Sequence, residues 1–221
     1  MKILWTKRTD MIFGESSERK KLEQQRRSEG RLPPGQSLTL KWPVLHYGDV
    51  PRADLRTWDF RIDGLVEKPV RLTWEEFNKL PQSEIQCDIH CVTRWSRFDN
   101  SFKGVLFTEV MKLVTAKPAS PASGPAACFA MVRGEHGFTA NLPFEDLMKP
   151  DTIFAFEHNG EPLSAEHGYP LRLVVPHLYF WKSVKWCRGF ALTAEDEPGF
   201  WEQNGYHMYG DPWKEQRFDT D

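Results

Sequence analysis

Apolar and polar residues alternate over 58–62 (WDFRI), the period of a half-buried strand, and Gly64 ends the run. The next segment, LTWEEFNKLP, reads as a short helix. Thr73 stands at the N-cap with Glu76 three residues on, the capping-box spacing, and Pro81 closes it. Alternation returns over 85–92 (IQCDIHCV), predicting a strand that runs into a loop at Thr93-Arg94-Trp95. A helix is predicted over 107–114, where Leu106, Val110, Leu113 and Val114 share a face. The segment 117–127, rich in Pro, Ala, Ser and Gly, reads as a surface loop. Beyond it, strands are predicted over 128–132, 152–156, 171–175 and 184–192, with Asn159-Gly160 as a turn and one or two helical turns over 143–148. From Pro198 onward the Gly-, aromatic- and polar-rich chain reads as an irregular tail wrapping the surface. Mixed short strands with few helices place the chain in the α+β class.

The first 31 residues break this pattern. Leu22 is the only apolar residue between Gly14 and Leu32, so 1–31 reads as a charged N-terminal arm or short surface helix. The domain proper is expected over 32–221. No apolar stretch of signal-peptide or transmembrane length is present. The Arg26-Arg27 pair is followed by polar residues instead of an apolar segment, so a cytoplasmic protein with no membrane span is expected. With 29 basic against 31 acidic residues there is no net field to draw nucleic acid, and anion recognition must come from local clustering.

Two segments could carry chemistry. In the first, Cys87, His90, Cys91, Arg94 and Arg97 fall within eleven residues, where nearby cations can favour a thiolate, a soft metal ligand. Four cysteines leave three readings open: buried structural residues, a catalytic thiol or single metal ligand, and a four-cysteine zinc site in an interaction domain. In the second, Arg172 is followed by Lys182, Lys185 and Arg188 at three-residue spacing, with Ser183 among them. Such a run could ring a phosphate or be a solvated basic face. The seven histidines include no pair at metal-ligand spacing.

Together the two segments are specific. HCVTRWS, then HGYPLRLVVPHLYFWKSVKW about eighty residues later, resembles the molybdopterin-binding domain of the sulfite oxidase family. LPPGQSLTLKWPVLHYGDVP, GFTANLP and GFWEQNGYHMYGDPWKEQR extend the resemblance over residues 33 to about 213. It is most similar to short, single-domain bacterial members. The resemblance implies a sulfite-oxidase-type fold and a molybdenum–molybdopterin cofactor, with Cys91 as the metal ligand. His167 and Arg172 would contact the pterin and its phosphate, Ser183, Val184 and Lys185 would hold the phosphate end, and His46 and Tyr47 would face the pterin. His90 and Arg94 would flank the metal ligand and shape the substrate pocket, making Cys91, His90 and Arg94 the candidate catalytic residues. The implied reaction is two-electron oxygen-atom transfer on a small sulfite-, sulfoxide- or N-oxide-like molecule, with an external electron donor or acceptor as partner. A non-catalytic molybdopterin-binding module is the alternative. The chain is expected to lack the haem and dimerisation domains of larger relatives.

Overall fold

A computed structural model describes residues 7–117 and 126–221, with side chains described from residue 17. The chain opens with α1 (Lys7–Ser28), then β1 (Ser37–Leu38), β2 (Asp59–Gly64), β3 (Val70–Thr73) and α2 (Trp74–Asn78). Next come β4 (Ser83–His90), β5 (Trp95–Leu106), α3 (Phe107–Met111), β6 (Phe129–Gly134), β7 (Thr139–Pro143) and α4 (Phe144–Leu147). β8 (Ile153–His158), β9 (Glu161–Pro162), β10 (Arg172–Val174) and β11 (Cys187–Thr193) complete the set. The segment expected as a Pro/Ala/Ser-rich loop lies, over 118–125, outside the described residues.

The strands form two mixed sheets. One runs β1-β5-β8-β10, with β4 on β5 and β9 on β8; the other runs β3-β2-β11-β6-β7. The main core lies between them. Phe60, Ile62, Val132 and Phe190 from the second sheet meet Val105, Phe154, Leu171 and Leu173 from the first. Fully burying each such side chain contributes about 2 kcal/mol. The other face of the first sheet carries a smaller cluster that includes Ile89, Phe102, Ile153, Val174 and Phe180. Strand parity decides which residue goes where. On β10 and the residues flanking it, Leu171, Leu173 and Val175 enter the main core, while Arg172 and Val174 turn to the smaller cluster.

The α+β class and the capping box of α2 are as expected: Thr73 Oγ1 accepts from Glu76 N–H, and the Glu76 carboxylate accepts from Thr73 N–H at 2.8 Å. Four expectations are corrected. The predicted loop at 93–95 is a tight turn leading into β5, twelve residues long. The helix expected over 107–114 stops at Met111. The last strand starts at Cys187 and not 184, because a 3-10 turn over Phe180–Lys182 and the positive φ of Trp186 (49°) break the extended run. The tail is irregular but turns inward, with Glu202, Pro212 and Arg217 buried. The charged N-terminal stretch is helical over 22 residues, and its C-terminal end is tied to the β4–β5 hairpin. Arg26 reaches Asp99 at 2.7 Å, and Arg31 forks onto both oxygens of Asp88 at 2.9 and 2.7 Å. No described helix is long and apolar enough to cross a membrane.

Candidate active site

Cys91 is the first residue of the turn between β4 and β5, where His90 pairs with Ser96. The turn is closed by Cys91 N–H donating to Trp95 O at 2.8 Å and Arg94 N–H donating to Cys91 O at 3.0 Å, and Arg94 takes the left-handed conformation (φ 70°) that closure requires. Two outside groups fix the loop. Gln36 Nε2 donates to Cys91 O at 2.9 Å, and Arg217 Nη1, from the buried tail, donates to Val92 O at 2.9 Å. The thiol leaves the sheet edge into a cavity, with Thr93 Oγ1 3.1 Å away. Burial pushes the Cys91 thiol up; Thr93, Arg217 and Lys185 oppose this without cancelling it. A thiol so placed is protonated at neutral pH and ligates as a thiolate when a metal displaces the proton.

Arg172 faces the same cavity. Its side chain is fully buried, and Nη1 and Nη2 donate to the carbonyls of His167 (2.9 Å) and Ser183 (3.1 Å). The guanidinium lies 4.2 Å from the Phe180 ring centroid and 5.2 Å from that of Trp42. No described carboxylate pairs with it; burial pushes its pKa down to about 9, so it remains charged at neutral pH. A buried cation with only carbonyl and aromatic partners is under-compensated, and an anion is the missing partner. Lys185 adds a second cation, its Nζ donating to Leu45 O and Glu166 O, both at 2.7 Å. Burial first, and Arg172 second, push its pKa down to about 7. Neither is matched by an acid, since no Asp or Glu lines the cavity.

The cavity, about 290 Å³, brings together Cys91, Arg172, Ser183, Lys185, His46 and Tyr47. His167 stands just behind it, its ring stacked on that of Trp42 at 4.0 Å and 26°. Its Nδ1 pairs with Ser164 Oγ at 2.9 Å, while Nε2 is buried with no partner. Burial, with Arg172 and Lys185, lowers its pKa to about 4, so the ring is neutral at pH 7. Besides His167, three of the expected residues do not line the cavity. The Val184 side chain is in the main core, so only its backbone is near. His90 is buried beside Ser96 Oγ at 2.8 Å, and burial lowers its pKa to about 4. Arg94 points from the turn toward Gly35. The basic trio also separates. Lys182 is buried against Glu202 at 2.7 Å, and Arg188 is taken by Asp59 and by Glu135 at 2.8 Å, leaving Lys185 alone in the cavity.

Sequence reasoning missed the aromatic wall: Trp42, Trp181, Trp186, Trp201 and Tyr206. Nine Trp in 221 residues was the available signal, but it did not say which of them face a ligand. The cysteines do not cluster either. Cys187 is in the core, Cys128 is exposed, and among the described residues no group of three or more His, Cys, Asp or Glu could hold a metal. The zinc-stabilised alternative therefore lacks its ligand set.

Residues 47–201 match the family described as oxidoreductase molybdopterin binding domain. The chain belongs to this family. It is 48% identical over 193 residues to "Uncharacterized oxidoreductase YuiH" of Bacillus subtilis (strain 168), covering 87% of this chain and 94% of that protein. It is 26% identical over 193 residues to a sulfite oxidase of Arabidopsis thaliana, covering 74% of this chain but only 49% of the plant enzyme. The crystal structure of the sulfane dehydrogenase SoxCD from Paracoccus pantotrophus shares the fold, with a TM-score of 0.60 at 24% identity over 68% of this chain and 41% of that one. This chain is thus an oxidoreductase of the sulfite-oxidase type, and its cofactor is molybdenum-molybdopterin. The donor set fits that group. One soft thiol faces the cavity that also holds a buried, acid-free guanidinium and a lysine, as a metal and a phosphate require.

Proposed function

We propose that this oxidoreductase catalyses two-electron oxygen-atom transfer on a small molecule, with an external electron carrier closing the cycle. The observation that carries the reading is the convergence of the Cys91 thiol, Arg172 and Lys185 on one cavity free of carboxylates. When bound, molybdenum-molybdopterin supplies two-electron chemistry coupled to gain or loss of an oxygen atom. Cys91 would serve as the protein's metal ligand, with Gln36 and Arg217 fixing its loop so the sulfur stays in place. Arg172 and Lys185 would bind the phosphate through charge-assisted hydrogen bonds, and Ser183 stiffens that end because its hydroxyl accepts the Val175 N–H at 2.9 Å. His167 would present its unpaired Nε2 to the pterin, while His46 and Tyr47, on the irregular segment after β1, would cover it from the solvent side. His90 and Arg94 would act through the loop they flank, since neither side chain lines the cavity.

The test is turnover of the molybdenum-loaded protein with artificial electron carriers and a panel of sulfite, sulfoxides and N-oxides. Turnover of at least one, abolished in Cys91→Ser with the fold intact, is expected. A fully loaded protein inert toward all of them would instead favour a non-catalytic cofactor-binding module.

A further inference from the structure

The cavity's charges and rings point to a substrate class. We infer that the oxygen donor this site accepts is a neutral molecule bearing an aromatic or heteroaromatic ring, an aryl sulfoxide or heteroaromatic N-oxide, and not a small oxyanion. The inference rests on the function proposed above. An oxyanion entering a dehydrated pocket needs cations to replace its hydration. The Lys and Arg side chains lining the cavity are Arg172 and Lys185, both assigned to the cofactor's phosphate.

The neighbouring cations are already engaged. Lys182 Nζ gives its hydrogen bonds to Glu202, Asn141 and Met208 at 2.6–2.9 Å. Arg217 is held by Val92 O and lies 4.8 Å from the Tyr179 ring centroid. Arg188 is bound to Asp59 and Glu135, and Arg94 lies outside the cavity.

What remains of the wall is aromatic. Trp201 stacks on Tyr206 at 4.9 Å and 19°, and Trp181 meets Tyr206 edge-on at 5.1 Å and 81°. Phe138 completes this side, 5.6 Å from Phe200. Tyr206 lines the same cavity as Cys91. Stacked and edge-on rings of this kind hold a flat apolar group, and a phenolic hydroxyl on the wall of the cavity that also holds the thiol can donate to a neutral S=O or N–O oxygen. In the reduction, the S–O bond breaks and sulfur gains two electrons, supplied by two equivalents of an external one-electron carrier. The oxygen leaves with two protons as water.

The experiment uses the molybdenum-loaded protein with reduced methyl viologen as electron donor. It compares kcat/KM for methyl phenyl sulfoxide and dimethyl sulfoxide, and assays sulfite oxidation with ferricyanide. Methyl phenyl sulfoxide is expected to be preferred by about tenfold, mainly through KM. Its binding should quench tryptophan fluorescence at concentrations where dimethyl sulfoxide does not. Trp201→Leu should bring the preference to about one and abolish the quenching difference, while Trp201→Phe, which keeps a ring, retains most of both. Equal efficiency for the two sulfoxides, or sulfite as the better substrate, would overturn the inference while leaving oxygen-atom transfer standing. Inertness toward every substrate by a loaded protein that still binds the aryl sulfoxide would instead strike at the function proposed above.

Discussion

Lys182 Nζ lies 2.7 Å from Glu202 Oε1, with both side chains out of solvent, at 1% and 0% exposure. The same carboxylate oxygen accepts from Trp181 Nε1 at 2.7 Å, and the ammonium also reaches Asn141 on β7 and Met208 in the tail. One buried pair thus joins the 3-10 turn carrying Trp181 to the tail segment carrying Trp201 and Tyr206. Removing one partner strands the other charge, which typically costs about 3–5 kcal/mol. Glu202→Gln and Lys182→Met are each expected to destabilise the protein by that order, read by denaturant unfolding. The double variant should recover part of the loss, because no unpaired buried charge remains.

Arg172 has the opposite character, being buried with no acid. Arg172→Met and Lys185→Ala should each reduce molybdenum retained after gel filtration, and together they should leave little. Because removing an unpaired buried cation relieves a desolvation cost, the cofactor-free Arg172→Met protein should lose far less stability than Glu202→Gln does. Metal analysis alongside an unfolding curve checks both halves.

The sequence-based reading worked where local chemistry was sufficient. The capping box placed α2, and the alternation over 85–92 placed β4, which ends two residues earlier, at His90, so that Cys91 opens the turn. β5 escaped because two of its buried positions are Ser96 and Asn100, so the apolar alternation that marks a strand is interrupted by polar residues satisfied within the fold. The even spacing of Lys182, Lys185 and Arg188 suggested one basic face, but Lys182 ends a 3-10 turn, the extended run restarts only at Cys187, and tertiary partners claim Lys182 and Arg188. Trp201 and Tyr206 reach the cavity only because the tail folds back, which no local pattern encodes. The identity of the cofactor came from long ordered resemblance and not from periodicity.

Asp146 supplies a prediction about acid. Burial pushes its carboxyl up, but hydrogen bonds from His177 (2.9 Å) and Lys149 (2.6 Å) outweigh this and leave it at about 2, against an ordinary 3.8. A lowered folded-state pKa contributes stability that is full above the unfolded value and is lost as pH falls through the folded one. Asp146→Asn should therefore be less stable than the parent by on the order of 2 kcal/mol at pH 7, and the gap should close between about pH 4 and pH 2. Unfolding curves across that range check it.

Gly189 marks a bulge in β11 where the chain takes φ 134°, and an added Cβ would strike the Arg61 carbonyl of the paired strand β2. Gly189→Ala is expected to destabilise by more than about 2 kcal/mol, since both conformation and space oppose it. Gly160, also at positive φ but with nothing within 4 Å, should tolerate the same change with a smaller loss. Parallel denaturant titrations of the two variants separate strain from collision.

The role of Cys91 as metal ligand is read from the molybdenum content and visible spectrum of the cofactor-replete protein beside its Cys91→Ser variant. About one molybdenum per chain is expected, with a sulfur-to-metal charge-transfer band that disappears in the variant while the fold persists. A Cys91→Ser protein that keeps both the metal and the unaltered band would contradict the assignment of Cys91 as the ligand.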